Sequence, residues 1–267
     1  MIMNNWTRVS AVAGKFYPAR AEEIERELTL LMKPHEEFSH YAIMVPHAGW
    51  IYSGHTAGLA FSQTKVTSTV FIVCPNHTGR GPNISVWSEG EWNTPIGTAS
   101  VDANLASDFL KHLGDSDRKA HLTEHAIEVQ IPFLLRKNPD VKIVPIVLGR
   151  LSLEECQRVG EVLASVAAHC LIIASTDMSH FISRIEAQKK DALALTAVEN
   201  LDPDTLYKTV REEDISMCGF IPTTAVLIAA KINGAQSAKI LEYTDSGATT
   251  HDLSSVVGYA SAVFSRP

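Results

Sequence analysis

The chain alternates short apolar runs with longer stretches in which apolar residues recur at helical spacing. The apolar runs predict buried strands at 41–45, 69–74, 142–149, 171–176, 238–244 and 256–264. The helical spacing predicts helices at 21–32, 102–113, 124–136, 152–167, 183–199, 203–212 and 222–233. Strands that alternate with helices predict an α/β fold, with a mostly parallel sheet covered by helices on both faces.

Local signals refine this pattern. Ser152 with Glu155 three residues later is a capping box, which begins a helix. Pro132 predicts a kink or break in the helix that contains it, and Pro145 is unusual inside a central strand. The sequence contains no linker, repeat or low-complexity tract, so we expect residues 1–267 to form a single domain.

Composition narrows the class of protein. The 267 residues are 45% hydrophobic and 20% charged, as in ordinary globular proteins. A net charge of -7 without a basic run disfavours nucleic acid as a partner. Four scattered cysteines without a CxxC pair indicate free thiols in a reducing compartment. No apolar stretch is long enough for a signal peptide or membrane span, so we expect a cytoplasmic protein without a membrane partner.

Polar residues with metal-binding or acid–base chemistry follow three of the predicted strands. His47, His77 and the pair Asp177 and His180 each lie just after a strand, where α/β sheets place their ligands. Imidazole binds zinc, iron, copper and nickel. A lone histidine at such a position is more often a hydrogen-bonding loop residue. Repetition at three strand ends favours one divalent-metal site, with His180 available to move protons.

A second cluster contains His121, Glu124 and His125 in the H-x-x-E-H pattern of one class of zinc protease. On a helix, the two histidines would share a face and Glu124 could act as a base. Five-residue motifs recur by chance, so the pattern alone is weak. The alternative interpretation places His125 in the strand-end crevice, with Glu128 one turn on as its orienting partner.

Cys218 precedes the apolar helix predicted from Pro222. A helix N-terminus can lower a thiol pKa, which would make Cys218 reactive; a buried structural cysteine is the alternative. The sequence lacks a G-x-S-x-G motif, a P-loop and a G-x-G-x-x-G fingerprint. Their absence argues against a serine hydrolase and against nucleotide binding.

Eight short motifs, in order along nearly the whole chain, resemble the MEMO family, whose prokaryotic members are called AmmeMemoRadiSam system protein B. These motifs are AGKFYPA (13–19), VPHAGWIYSGHTA (45–57), CPNHTG (74–79), TPIG (94–97), EHAIEVQIPFL (124–134), STDMSH (175–180), CGF (218–220) and SSVVGYAS (254–261).

The resemblance implies a fold similar to class III extradiol dioxygenases, a three-layer α/β sandwich around a largely parallel or mixed sheet. Those enzymes hold Fe(II) with two histidines and a carboxylate, and a further histidine acts as acid and base. By motif, His47 and His77 match the two histidine ligands. His180 matches the acid–base histidine with Asp177 beside it, and His125 is expected to line the pocket as a third catalytic residue.

The third ligand departs from the family pattern. The family's human member is similar but uses a cysteine there, and counting back from GYAS places that position near Thr249. Threonine is a poor metal ligand, so the expected third ligand is one of Asp245, His251 and Asp252, with Fe(II) the expected metal and copper or zinc the alternatives.

Three functions remain open on the sequence. The first is an iron- or copper-dependent redox enzyme, similar to a dioxygenase, that acts on a small organic substrate. The second is a non-catalytic module whose pocket binds a peptide or partner protein. The prokaryotic family name implies a functional link to a radical SAM enzyme and a small companion protein. The third is a zinc hydrolase, with zinc bound by the strand-end histidines or the H-x-x-E-H cluster.

Overall fold

The computed structural model describes residues 6–265. The strands of this part of the chain are β1 (Thr7–Arg8), β2 (His40–Val45), β3 (Thr69–Pro75), β4 (Ile84–Val86), β5 (Glu91–Thr94), β6 (Gly97–Val101), β7 (Asp115–Ser116), β8 (Lys142–Leu148), β9 (Leu171–Ser175), β10 (His180–Ile182), β11 (Ser237–Asp245) and β12 (Val256–Ser265). Its helices are α1 (Ala21–Leu31), α2 (Trp50–Ser62), α3 (Ala103–Leu110), α4 (His125–Glu128), α5 (Ile131–Lys137), α6 (Leu153–Val166), α7 (Arg184–Glu199), α8 (Pro203–Glu212), α9 (Phe220–Ile232) and α10 (Gly247–Thr250).

The strands form one mixed sheet whose main order is β1-β5-β6-β8-β3-β9-β2-β12-β10. Its centre, β8-β3-β9-β2, is parallel, and β12 runs antiparallel to β2. Every residue of β3 is buried. Since successive side chains of a strand point to opposite faces, both faces of this sheet are covered. Helices such as α2 and α9 provide that cover, which confirms the three-layer α/β architecture.

Pro145 lies inside β8 without breaking the sheet. On one side of β8, the parallel neighbour β3 pairs along the whole strand. On the other side, β6 reaches only Lys142 and Ile143, and β4 begins its pairing at Ile146. Pro145 therefore occupies the gap between two partner strands, where the missing N–H interrupts no ladder.

The six strands and seven helical regions expected from the sequence are present, whereas α10 and the short strands β1, β4, β7 and β10 were not expected. The region 124–136 is divided into α4 and α5, and Pro132 lies in the first turn of α5, where proline is well tolerated. Helix α2 was not expected. Within residues 6–265, no helix is long and apolar enough to cross a membrane.

The strand order determines where the site forms. Strands β3, β9 and β2 are neighbours and run parallel, so their carboxyl ends meet at one edge of the sheet. His77 follows β3, Asp177 follows β9 and His47 follows β2. Residues far apart in sequence therefore share one crevice, as α/β sheets generally arrange their ligand sites.

Candidate metal centre

Three side chains could together hold a metal ion. The ligand atoms of His47, His77 and Cys218 all lie within 4.8 Å of one another. The closest contact joins His47 Nε2 and Cys218 Sγ at 3.2 Å. Cys218 comes just before α9, so the third member of the group arrives from a helix start rather than from a strand end.

Glu124 fixes the orientation of His77. Its Oε1 lies 2.8 Å from His77 Nδ1, and its Oε2 accepts a hydrogen bond from the His77 backbone N–H at 2.8 Å. A carboxylate only accepts, so Nδ1 carries the proton and Nε2 presents its lone pair. This is the usual arrangement by which a carboxylate orients a metal-binding histidine.

The orientation of His47 is fixed by a second network. The Ser175 hydroxyl donates to the carbonyl of Ala126 at 2.7 Å and accepts from Gln130 Nε2 at 3.1 Å. The hydroxyl has only one proton, which it donates to Ala126. His47 Nδ1, which lies 3.0 Å from the Ser175 oxygen, must therefore be the donor in their hydrogen bond. His47 therefore also presents an Nε2 lone pair, directed towards the Cys218 thiol.

The charges of the group follow from burial and from these bonds. Burial holds the pKa of His47 well below its usual value, so this imidazole is neutral. For Glu124, burial acts to raise the pKa, but the hydrogen bond and the charge of His77 outweigh it and bring the pKa to about 2. Burial raises the pKa of the Cys218 thiol, and nearby Asp177 adds to the rise. The metal-free thiol is thus protonated, opposite to what a helix N-terminus alone would give.

Burial acts to lower the pKa of His77, but the hydrogen bond to Glu124 outweighs it and raises the pKa. A metal ion would bind both imidazoles in their neutral form, and two imidazoles with a thiol fit a transition metal. Thiolate and imidazole ligands select copper, zinc and iron, whereas calcium and magnesium require oxygen ligands. A bound cation would displace the thiol proton of Cys218, because metal ligands bind in their deprotonated form. The chemistry of this donor set, with both Nε2 atoms set by neighbouring groups, satisfies the requirements of such a site.

His180 and Asp177 border the group. His180 Nδ1 lies 2.9 Å from the carbonyl oxygen of Ser216, so Nδ1 donates and Nε2 is free to take a proton. Asp177 is buried, and its Oδ1 accepts from the His47 backbone N–H at 2.8 Å. Burial raises the pKa of Asp177, an effect which this hydrogen bond opposes.

His125 lies in the crevice but lacks the expected partner. Its ring stacks on His77 with centroids 4.7 Å apart, and its Nδ1 lies 3.4 Å from Glu124 Oε1. Burial lowers the pKa of His125 to about 4. The expected pairing with Glu128 is wrong, because that carboxylate faces the N-terminal segment.

Glu128 accepts hydrogen bonds from the backbone N–H groups of Ala11 and Val12 and from the Tyr17 hydroxyl. It also forms an ion pair with Arg8, with an N–O distance of 2.6 Å. Arg8 also donates to the carbonyl oxygens of His121 and Glu124. Both charged side chains are almost fully buried. This ion pair fixes the N-terminal segment against the helix that begins at His125.

The residues expected to supply a third ligand lie elsewhere. Asp245 Oδ1 forms an ion pair with Arg184 at 2.6 Å, and it lines a separate cavity together with His251. The Asp252 carboxylate accepts from the backbone and hydroxyl of Ser254. None of Asp245, His251 and Asp252 belongs to the group, whose third member is Cys218, which the sequence had suggested only as a reactive thiol.

His121 is separated from the group. It precedes α4, so it does not share a helix with His125. Its Nε2 lies 3.0 Å from Ser85 Oγ, and its ring is in edge contact with Trp87 and Trp92. The H-x-x-E-H pattern therefore does not bring its two histidines together, whereas Glu124 and His125 form with His77 a second group that could hold a metal ion.

His121 should make stability depend on pH. Burial, helped by the charge of Arg8, lowers its pKa to about 3. Below the usual histidine pKa near 6.5, the unfolded chain binds a proton that the folded protein excludes. The contribution of His121 to the free energy of unfolding should fall by at most about 1.4 kcal/mol per pH unit as pH drops from 6.5 towards 3, in addition to the contributions of the other buried histidines. Urea denaturation at several pH values measures the slope.

A substitution isolates this contribution. His121→Gln should flatten the pH slope, whereas His112→Gln, at an exposed histidine, should leave it unchanged. Equal slopes in the wild type and both variants would contradict the assignment.

Comparison with known proteins identifies the family of this chain. The model of the Memo-like protein family matches residues 8–263. A MEMO1 family protein of Aquifex aeolicus is 40% identical over 96% of this chain and 98% of its own length. One from Methanosarcina acetivorans is 38% identical over the same shares. The chain therefore belongs to the MEMO family.

A solved structure supports the fold. The chain is similar to the uncharacterized protein JW3007 of Escherichia coli K12, with a TM-score of 0.53 and 14% identity. The match covers 83% of this chain and 98% of the other. At this identity the likeness concerns the fold alone.

Proposed function

We propose that this MEMO-family protein binds a redox-active transition metal, iron or copper, through His47, His77 and Cys218, and acts on a small organic substrate. The observation that carries the proposal is the convergence of ligand atoms from two histidines and a thiol within 4.8 Å. Both histidine orientations are imposed by neighbouring groups, as in metal sites with ordered supporting bonds.

The donor set bears on the choice of metal. A cysteine in place of the expected carboxylate makes the set softer, which favours copper over the hard divalent cations while still accommodating iron and zinc. When bound, copper or iron would supply one-electron and oxygen chemistry. Because the ligand set is softer, we propose copper and Fe(II) equally as the bound metal.

The protein's own groups would prepare the substrate. His180 Nε2 carries the free lone pair and could take a proton from a substrate hydroxyl or thiol. Asp177 holds the loop of His47 through the backbone hydrogen bond. The buried surroundings of His47 and Asp177 would strengthen these electrostatic interactions, because little water screens them.

The test is the metal content of protein purified without oxygen. We expect close to one equivalent of iron or copper in the wild type and almost none in His47→Ala/His77→Ala. His112→Ala, at an exposed histidine outside the group, serves as the control and should match the wild type.

The same measurement separates the alternatives. Zinc in place of iron and copper, with metal-dependent hydrolysis and no oxygen consumption, would favour a hydrolase. The absence of metal even after anaerobic loading with Fe(II), copper and zinc would refute the proposal and leave the pocket as a binding surface for a peptide or partner.

A further inference from the structure

A cavity of about 580 Å³ adjoins the metal group, and His77 and Cys218 form part of its lining. The other walls come from the loop after β3 and from the end of β8, with the first turn of α9 opposite. A cavity of this size accommodates a small organic molecule. A ligand in it would lie against two of the three proposed metal ligands.

The cavity has an unbalanced positive charge. Arg150 lines it and is exposed, and its guanidinium forms no ion pair with any residue between 6 and 265. The described lining residues include no Asp or Glu. Two carboxylates lie behind the wall, and both have partners. Glu124 is bonded to His77, and Asp117, next to Gly81, accepts from the Ser85 hydroxyl and the Ala120 backbone N–H. An arginine without a carboxylate partner is well suited to bind an anionic oxygen group.

The position of Arg150 follows from the sheet. It lies just beyond β8, which is parallel to β3, so Arg150 and His77 occupy the same edge. Leu148, Phe220 and Pro222 make one part of the wall apolar, and Asn76, Thr78 and Asn83 make another part polar. The cavity therefore combines one cation with an apolar surface beside the metal group.

We propose that this cavity binds the substrate as an organic anion, with its carboxylate or phosphate on Arg150 and its apolar body against the first turn of α9. The inference rests on the proposed function, because it places that anion beside His77 and Cys218. Arg150 is then a specificity-determining residue that selects charged over neutral molecules of the same shape.

The test measures binding of three probes to chelator-treated, metal-free protein by calorimetry and ligand-observed NMR. Benzoate and phenyl phosphate carry the anion, and benzamide is a neutral molecule of similar shape. We expect one or both anions to bind and benzamide to bind at least about tenfold more weakly, the effect of one charge-assisted interaction. The tighter anion distinguishes a carboxylate from a phosphate substrate.

Two variants assign the effect to Arg150. Arg150→Gln should weaken anion binding about tenfold or more while keeping wild-type metal content. Arg26→Gln is the matched control, because Arg26 is an exposed arginine of α1 outside the lining. Equal binding of benzamide and the anions, no binding of either anion, or equal effects of the two variants would overturn the inference.

Metal content keeps the two proposals separable. Loss of anion binding in Arg150→Gln with metal retained supports the cavity assignment. A wild type that is purified without metal and takes up none on anaerobic loading, but binds the anions through Arg150, would refute the metal proposal and leave the anion site in place.

Discussion

Replacing Arg8 with methionine should lower the free energy of unfolding by about 3–5 kcal/mol, the usual effect of removing one partner of a buried ion pair. Arg8 and Glu128 are almost completely inaccessible to solvent. Without the guanidinium, the carboxylate loses its charge partner in a site that water cannot reach. The carbonyl oxygens of His121 and Glu124 also each lose a hydrogen bond.

Chemical denaturation with matched variants measures this effect. Arg136→Met removes an exposed arginine–glutamate pair with Glu25 and should cost no more than about 1 kcal/mol. Arg8→Lys keeps the charge but loses the fork of donors, so an intermediate value is expected. Similar effects of Arg8→Met and Arg136→Met on the free energy of unfolding would contradict the assignment. If Arg8→Met does not fold, Arg8→Lys is compared with Arg136→Met instead.

Cys218→Ser should weaken metal binding by more than about 100-fold. Structural zinc sites with several ligands bind with about 10–16 kcal/mol, so one ligand accounts for several kcal/mol, and each 1.4 kcal/mol is tenfold. A serine hydroxyl is a harder ligand that does not readily lose its proton. The affinity is measured by competition with a coloured chelator under anaerobic conditions.

The control for Cys218 is Cys170→Ser, since Cys170 is also a partly buried free thiol but lies outside the group. It should retain wild-type affinity. In the copper-loaded protein, the thiolate-to-metal absorption band should disappear only in Cys218→Ser. Retention of both affinity and band in that variant would show that the third ligand is another residue.

The sequence predicted the sheet but not α2, for a physical reason. In Trp50–Ser62, apolar and small residues occur on every face of the helix, and most of the residues are buried. The sequence therefore shows no amphipathic stripe that would indicate a helix. The helix also contains Gly54 and Gly58, which argue against a helix on propensity. At Gly58 an added Cβ would clash with the carbonyl oxygen of Leu31, so the glycine permits close packing of α1 and α2.

The site was predicted in part for a similar reason. Residues after parallel strands converge by topology, and this rule identified His47 and His77. Cys218 arrives from the start of α9, which no strand rule covers; the CGF motif was the signal that could have found it. Glu124 was missed as the partner of His77 because the contact spans 47 positions of sequence.

The order of strands in the sheet also determines when the centre can be completed. Strand β9 separates β3 from β2 in the sheet, and 171 positions separate His47 from Cys218 in the sequence. An early fragment of the chain therefore lacks part of the proposed ligand set. During synthesis, which proceeds at about 5–20 residues per second, the growing chain passes through stages with two imidazoles and no thiol. Metal acquisition would thus follow folding rather than direct it, and a prematurely terminated chain would compete poorly for the cell's metal.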